Sequence, residues 1–497
     1  MNRFLPLRSA AAGLLTAAFA FAQAPADSDA LSGSWQGTLV AGPQRLEVAL
    51  HLTRDGERYR ATFDSLSQGA TGIGATSVQF DGTALTVVLP IGARFLATLE
   101  PANGETPKQL VGTWEQGPAK LPLRLRSVEK VEGPKRPQTP QPPFPYTIEE
   151  VRFGYDPARG LAVSFQTGAP AEPAPTHVTL ARTLTVPAGQ GPHPAVVLIS
   201  GSGPQDRDET LMGHQPFWIL ADHLSRHGIA VLRYDDRGVG ASSGDFDTAT
   251  TADFAVDAAA ALRFLATRDD VDAKRLGLVG HSEGGIVAPL VATGDDGARV
   301  AFVALLAPPA VNIKDVILHQ SRLIARAGGA GDADVEPTVT LNDRILAAIG
   351  EHTDAAERAQ AVRALVEAHF AERDEAPDDA ELAAALRGAQ SADTPWMHWL
   401  LRYEPTDALQ KLRCPVLAVF GEKDLQVDPA QNRPPLTEAL AAGGNEAVEV
   451  VTLEGLNHLL QRATTGAPTE YGTIEQTIAP EALERITTWL RAAAGLD

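Results

Sequence analysis

The sequence contains a single cysteine, Cys414, among 497 residues. One thiol can form no internal disulfide, and it cannot build a cysteine-based zinc site or an iron–sulfur site. Basic residues are also few, with 42 Lys and Arg against 62 Asp and Glu, which gives a formal net charge of -20. Such a charge repels phosphate backbones, so we expect no nucleic-acid partner. Walker, zinc-protease and calcium-loop patterns are missing as well, so we expect no metal and no cofactor.

No apolar run reaches the ~20 residues that a membrane-spanning helix needs, so we expect no membrane span. One shorter run stands near the start, where Arg3 and Arg8 precede the apolar stretch 10–22, which ends in Ala-Phe-Ala. This pattern predicts a cleaved secretory signal peptide over 1–22, and the alternative, a membrane anchor, is disfavoured by the short run. We therefore expect an exported protein, either periplasmic or secreted.

Residues 31–128 consist of short alternating apolar and polar runs that are typical of antiparallel strands. Asp-Gly dipeptides at 55–56 and 81–82 favour tight hairpin turns. We predict a small all-β barrel or sandwich of about eight strands. Trp35 and Trp114 belong to its core in this interpretation, and stacking on a ligand is the alternative.

The segment 129–147 contains six prolines, which exclude a regular helix and predict an extended linker between two domains. Strands and helices then alternate over 148–497, which predicts an α/β domain with a mostly parallel sheet and helices on both faces. The predicted buried strands are 195–199, 229–233, 276–279, 300–306 and 416–420. We expect 177–186 to form an antiparallel hairpin at the edge of the sheet. The helical stretch 312–402 is predicted to be an insertion, either a lid or an inert appendage.

Ser282 stands at the centre of Gly280-His281-Ser282-Glu283-Gly284, between a predicted strand and a predicted helix. A serine on such a turn has a strained backbone, and the small residues two positions before and after it let the strand and helix approach. The turn exposes the hydroxyl, which predicts that Ser282 is a nucleophile. The backbone N–H of Glu283, at the start of the helix, is a predicted oxyanion donor.

A nucleophilic serine needs a base, and the base needs an orienting acid. Asp424 follows the predicted strand 416–420, and His458 follows the predicted strand 446–453, so both are expected at the sheet edge that carries Ser282. We predict Asp424 as the acid and His458 as the base. Asp428 and Glu422 are the rivals for the role of the acid.

The second oxyanion donor is expected in the loop 200–205, and we assign it to the N–H of Ser202. We interpret the charged run 205–209 as a salt-bridged support for this loop, with a substrate site as the alternative. Asp235 and Asp236 are predicted to be solvated loop charges. Trp396 and Trp399, near the end of the helical insertion, are candidates for the wall of a substrate pocket.

Five phrases of the sequence resemble, in the same order, those of the α/β-hydrolases and in particular their bacterial esterase and serine aminopeptidase-like branch. The phrases are LISGSGPQDRDE (198–209), RYDDRGVGASSG (233–244), GLVGHSEGG (277–285), PVLAVFGEKDLQVDP (415–429) and LEGLNHLLQ (453–461). The resemblance implies an α/β-hydrolase fold with a helical lid insertion, and the roles assigned above to Ser282, Asp424 and His458. Ser200 stands where the family commonly has histidine. The N-terminal β-rich domain is similar to those on some two-domain esterases of this branch.

We therefore expect an exported serine hydrolase that cleaves carboxylic esters of short to medium acyl chains through an acyl-enzyme. The alternatives with the same triad are an aminopeptidase, an acyl-CoA thioesterase and an acyltransferase, since one triad serves all of them. An alternative of another class is a non-catalytic envelope binding protein whose working part is the β domain. The expected partner is a small-molecule ester, and a homo-oligomer is possible.

Overall fold

A computed structural model describes residues 29–41, 44–56, 58–117, 119–155, 164–166, 178–371 and 379–496. The predicted signal peptide, 1–22, lies outside the described residues. The chain forms two compact units. The first holds most of the N-terminal sheet, and the second contains residues 132–497 together with 38–48 and 64–71. The boundary at residue 131 falls inside the predicted linker, 129–147.

The N-terminal sheet is an antiparallel half-barrel of nine strands, where the sequence predicts a barrel or sandwich of about eight. The strands are β1 Gly33–Ala41, β2 Gln44–Asp55, β3 Arg58–Ser65, β4 Ala70–Gly74, β5 Ser77–Phe80, β6 Ala84–Leu89, β7 Ala93–Glu100, β8 Gln109–Gln116 and β9 Ala119–Val128. Their order across the sheet is β4-β3-β2-β1-β9-β8-β7-β6-β5. The first strand therefore pairs with the last, antiparallel.

Alternation along these strands sorts apolar side chains to one face. In β9, Leu123 and Leu125 are buried while the intervening Arg124 is exposed. Trp35 and Trp114 are both buried, and the ring of Trp114 lies 4.8 Å from that of Phe63. The two tryptophans thus pack in the apolar core of the sheet, as expected for large aromatic side chains.

The second unit is built on a nine-stranded sheet with the order β11-β10-β12-β14-β13-β15-β16-β17-β18. The strands are β10 Tyr146–Tyr155, β11 Ser164–Gln166, β12 Val178–Pro187, β13 His193–Ile199, β14 Ala230–Tyr234, β15 Val271–His281, β16 Val300–Leu306, β17 Val416–Gly421 and β18 Val448–Leu453. Strands β13 to β18 are parallel. The connection after β13 runs to β14 on one side, and the connection after its other neighbour, β15, runs to β16 on the opposite side, so the strand order reverses between β13 and β15. This switch point opens a crevice at the carboxyl ends of the strands, where open α/β sheets bind ligands.

The prediction of an edge hairpin at 177–186 is wrong. Strand β12 pairs with β10 on one side and β14 on the other, so it lies inside the sheet. Strand β10 was not predicted, because Glu149, Glu150 and Arg152 interrupt its apolar pattern. Its first two residues also fall within the predicted proline-rich linker.

Eleven helices are present in the described residues. They are α1 Pro216–Arg226, α2 Thr251–Leu265, α3 Gly284–Thr293, α4 Ile313–Ala327, α5 Asp332–Glu351, α6 Ala355–Ala371, α7 Asp379–Gln390, α8 Pro395–Leu400, α9 Pro405–Leu409, α10 Pro429–Ala442 and α11 Pro480–Ala493. Helices α4 to α8 form the predicted insertion between β16 and β17, and they bury an apolar cluster of their own. None of the described helices combines the length and the apolar character that spanning a bilayer would require.

The predicted linker is fixed to the second unit from Arg136 onward. The Arg136 guanidinium donates hydrogen bonds to the backbone carbonyls of Met212 and Gly472, at 2.7 and 2.9 Å. Two residues later, the side-chain oxygen of Gln138 accepts from the backbone N–H groups of Thr477 and Ile478. These bonds satisfy backbone groups that a freely extended linker would leave to water.

Asp257 of α2 joins three parts of the second unit. Its buried carboxylate accepts from Arg237 Nε at 2.7 Å and from the Tyr155 hydroxyl at the end of β10. Replacing Asp257 with Asn removes the buried counter-charge of Arg237 and leaves only the more exposed Asp253, at 3.2 Å, so we expect a loss of about 3 kcal/mol in the free energy of unfolding. Urea unfolding followed by far-ultraviolet circular dichroism measures it. The exposed Asp245→Asn serves as the control, and equal losses in the two variants would contradict the prediction.

Candidate active site

Ser282 occupies a strained turn between β15 and α3, with a φ of 53°. A left-handed backbone is rare for a residue with a side chain, and such strain is concentrated at functional sites. The flanking glycines explain how the turn fits. A Cβ on Gly280 would lie 2.0 Å from the carbonyl oxygen of Gly284, and a Cβ on Gly284 would lie 2.2 Å from that of Ile199 in β13. Strand, turn and helix can therefore meet only because both positions lack a side chain.

His458 and Asp424 are in direct contact. His458 Nδ1 lies 2.8 Å from Asp424 Oδ2, and both side chains are buried. The other carboxylate oxygen of Asp424 accepts the backbone N–H groups of Gln426 and Val427, each at 2.8 Å. These bonds fix the carboxylate, so that Nδ1–H of His458 donates to it and Nε2 remains as the basic nitrogen.

The two rival acids are engaged elsewhere. Asp428 lies 2.7 Å from Nε2 of His319 in α4, and it caps α10 by accepting the N–H of Ala430 at 3.0 Å. Glu422 accepts the backbone N–H of Gly455 at 2.8 Å. Among the carboxylates of the described residues, Asp424 is thus the one that the structure joins to the His458 ring.

A cavity of about 130 Å³ contains Ser282 together with Ser202 and Glu283, the two predicted oxyanion donors. Trp396 also lines this cavity, whereas Trp399 is not among the described lining residues and stacks on Tyr403 at 4.6 Å. The apolar lining consists of Ile286, Pro309, Ile313, Val316, Ile317, Leu400 and Val427. The described residues show no hydrogen bond between Ser282 Oγ and the His458 ring, a contact that often forms only in the substrate complex.

The side chain of Glu283 has a position that the sequence did not reveal. It is buried, and its Oε1 accepts from Thr251 Oγ1 at 2.6 Å and from the indole N–H of Trp396 at 2.8 Å. Burial raises the pKa of this carboxyl, although the hydrogen bonds from Thr251 and Trp396 act in the opposite direction. The bond to Trp396 holds an aromatic ring of the insertion against the cavity, so Glu283 links the turn of Ser282 to the helical insertion.

The loop 200–205 is held by two carboxylates. Asp236 accepts from Ser200 Oγ and from the backbone N–H of Gln205, each at 3.0 Å. Glu209 accepts the N–H of Gly201 at 2.7 Å. Asp236 and Glu209 therefore support the loop in this chain, which has Ser200 at the position where histidine is common in the family.

The expectation that Asp235 and Asp236 are solvated is wrong, because both are buried. Asp235 forms two hydrogen bonds of 2.9 Å with the Arg207 guanidinium and accepts the N–H of Arg207. Desolvation raises the pKa of Asp236 well above its ordinary value, although donors surround it. Arg207 therefore supports the loop, in agreement with the interpretation of the charged run 205–209 as a salt-bridged support.

Comparison with known proteins identifies the family. Residues 196–468 match the model of the alpha/beta hydrolase family. The chain belongs to this family. It is 27% identical over 311 residues to esterase EstD of Thermotoga maritima, a match that covers 62% of this chain. The chain spans 64% of the length of that relative.

Several solved structures are similar to the chain at lower identity. A 2,6-dihydroxy-pseudo-oxynicotine hydrolase is 15% identical over 64% of this chain and 65% of its own, with a TM-score of 0.37. The alpha/beta hydrolase GrgF of Penicillium sp. is 20% identical over 64% of this chain and 95% of its own, with a TM-score of 0.39. An esterase of Pyrococcus furiosus is 15% identical over 70% of this chain and 91% of its own, with a TM-score of 0.41.

The contacts of Asp424 and Asp428 predict different effects of removing each charge. Asp424→Asn reverses the hydrogen-bond polarity at His458 Nδ1, and we expect kcat for an activated ester to fall by about 10³-fold or more. Asp428→Asn keeps a side-chain oxygen that can cap α10 and removes only the charge that faces His319, so we expect kcat to change by less than about threefold. Steady-state kinetics of the two variants measures this. A larger loss in Asp428→Asn would reassign the acid.

Proposed function

We propose that the chain is a serine carboxylesterase that uses Ser282, His458 and Asp424. The observation that carries the proposal is the buried Asp424–His458 pair, whose Asp424 also holds the backbone of Gln426 and Val427, two residues that line the same cavity as Ser282. The strained backbone of Ser282 and the family membership add support. The likeness to a named esterase agrees with this proposal.

In the proposed mechanism, His458 Nε2 takes the proton of Ser282 Oγ as the oxygen attacks the acyl carbon. The backbone N–H groups of Ser202 and Glu283 stabilise the oxyanion that develops on the carbonyl oxygen. The proton then passes from His458 to the leaving alcohol, and an acyl group remains on Ser282. A water molecule, activated by the same His458, releases the acid and restores the enzyme.

The size of the cavity supports short acyl chains. Its volume of about 130 Å³ is small beside the roughly 300–1,000 Å³ of sites that take drug-sized ligands. Its wall is mostly apolar, which suits a hydrocarbon chain and excludes water from the reacting carbon. We propose that the preferred acyl groups are the shorter ones of the predicted short to medium range.

The chemistry of Glu283 favours esters over peptides with a free amino terminus. An aminopeptidase needs a carboxylate that receives the substrate ammonium group. Glu283 is a carboxyl of the cavity wall, and its Oε1 already accepts from Thr251 and Trp396. A raised pKa further weakens its pairing with a cation.

A substrate panel tests the proposed function. Purified chain is assayed with nitrophenyl esters of increasing acyl length, aminoacyl anilides and acyl-CoA thioesters, with Ser282→Ala as the matched control. We expect the highest kcat/KM for short esters and a loss of about 10³-fold or more in Ser282→Ala. Turnover of anilides or thioesters above that of esters would favour an aminopeptidase or a thioesterase. Activity in Ser282→Ala within tenfold of the wild type would contradict the mechanism.

Trp396 and Trp399 form a matched pair for testing the cavity wall. Trp396→Ala enlarges the cavity and removes a donor to Glu283, and we expect the ratio of kcat/KM for a long to a short acyl ester to rise by about tenfold. Trp399→Ala removes a ring that stacks on Tyr403 instead, so we expect that ratio to stay within about twofold. Equal changes in the two variants would exclude Trp396 as the residue that limits chain length.

Export is proposed from residues 1–22 alone. The basic residues Arg3 and Arg8, the apolar run and the Ala-Phe-Ala ending support a cleaved signal peptide. Expression of the full chain in a Gram-negative host, followed by fractionation and intact-mass measurement, tests it. A periplasmic protein that begins after Ala22 is expected, and an uncleaved cytoplasmic protein would contradict export.

A further inference from the structure

A second buried pair of an acid and a histidine lies beside the proposed catalytic pair. Nδ1 of His281, the residue before Ser282, lies 2.8 Å from Glu209 Oε1. Nε2 of the same ring lies 3.1 Å from the backbone carbonyl oxygen of His458. Both side chains are less than 9% exposed. Neither side chain lines the cavity among its described residues.

Both nitrogens of His281 therefore face acceptors. A backbone carbonyl cannot donate, and an ionised carboxylate cannot donate either. A neutral imidazole carries one N–H, so its other nitrogen would present a lone pair to an acceptor oxygen about 3 Å away, an unfavourable buried contact. The imidazolium carries two N–H groups and satisfies both. Because an imidazole is a stronger base than a carboxylate, the proton that the pair shares belongs on His281.

Glu209 extends the connection to a third segment. The oxygen that faces His281 also accepts the N–H of Gly201 at 2.7 Å. Gly201 precedes Ser202, the predicted oxyanion donor. A Cβ on Gly201 would lie 3.2 Å from Ser282 Cβ and 3.3 Å from Glu209 Oε1, so the backbone of Gly201 packs closely against both residues. Glu209 itself has a φ of 52°, a strained conformation that its surroundings maintain.

We propose that Glu209 and a cationic His281 form a positioning pair that holds the loop of Ser202, the turn of Ser282 and the backbone of His458 in register for catalysis. This inference rests on the proposed function. The pair contacts each segment in a different way. Glu209 accepts the backbone N–H of Gly201, and Nε2–H of His281 donates to the backbone carbonyl of His458. His281 is joined to Ser282 by a peptide bond. The pair acts through other residues and does not touch the substrate cavity.

The titratable groups near His281 lie on the loops that follow three different strands. Glu209 follows β13, Asp424 follows β17, and His458 follows β18, with its ring 4.9 Å from that of His281. Burial alone would lower the pKa of His281, but Glu209, the His458 carbonyl and the charge of Asp424 outweigh it and raise this pKa above its ordinary value. The Glu209–His281 pair consequently stabilises the folded chain at neutral and acidic pH. This contribution to the free energy of unfolding is lost as the pH rises through the raised pKa of His281.

Two measurements on the full chain test the positioning pair. The first is nuclear magnetic resonance of protein labelled with ¹⁵N in its 12 histidines, with the His281 signals assigned by their absence in His281→Gln. We expect both His281 nitrogens to be protonated at neutral pH. A His281 ring with one unprotonated nitrogen at neutral pH would overturn the proposal. This measurement does not depend on activity, so it decides the question even if the chain hydrolyses no ester and the proposed function fails.

The second measurement is the pH profile of kcat in Glu209→Gln. The amide keeps the shape and still accepts from Gly201, but it removes the anion that keeps His281 charged. We expect kcat near pH 8 to fall by about tenfold and its alkaline limb to move at least about one pH unit toward acid. KM is expected to stay within about threefold, because the pair does not line the cavity.

Asp206→Asn is the matched control for Glu209→Gln. Asp206 accepts the N–H groups of Asp208 and Thr210 in the same charged run and does not contact His281. We expect it to leave both limbs of the profile in place. An unchanged alkaline limb in Glu209→Gln, or the same shift in Asp206→Asn, would overturn the proposal. Glu209 would then only stabilise the loop that contains it.

Discussion

The close approach of α3 to the ends of β13 and β15 is the constraint on which the rest of the site depends. There is no room for a side chain at Gly280 or Gly284, and the backbone of Ser282 is left-handed as a result. This geometry brings Ser282 to the wall of the cavity at the start of α3, where the first N–H groups of a helix have no partner within the helix and favour a negative charge, as the proposed oxyanion requires. The buried strands of the parallel sheet supply the rigidity that maintains the strain.

Around this turn the chain arranges its charges in pairs. Asp424 orients His458, Glu209 faces His281, and Arg207 compensates Asp235. Each carboxylate is buried, and each accepts hydrogen bonds that offset part of the cost of removing it from water. Three loops from different strands are thereby connected by short polar contacts. A loop that was held only by its apolar residues would position a proton acceptor less accurately.

The sequence predicts those parts of the site that depend on local rules. The glycines around Ser282 and the positions of Asp424 and His458 at strand ends follow from spacing and from the order of the parallel strands. The choice between Asp424 and Asp428 needs coordinates, because it rests on which carboxylate meets the His458 ring. The role of Glu209 was hidden for the same reason, since its partners Gly201 and His281 come from different loops. The interior position of β12 was missed because charged residues mask its neighbour β10.

The proposed mechanism requires that Ser282 carries the acyl group during turnover. Intact-mass measurement after rapid acid quenching of the reaction with a slowly deacylated ester tests it most directly. We expect the wild-type chain to gain the mass of one acyl group, and we expect peptide mapping to locate it on Ser282. We also expect His458→Ala to be acylated far more slowly. An acyl group on another residue, or turnover without any acylated protein under conditions in which deacylation limits the rate, would contradict this role of Ser282.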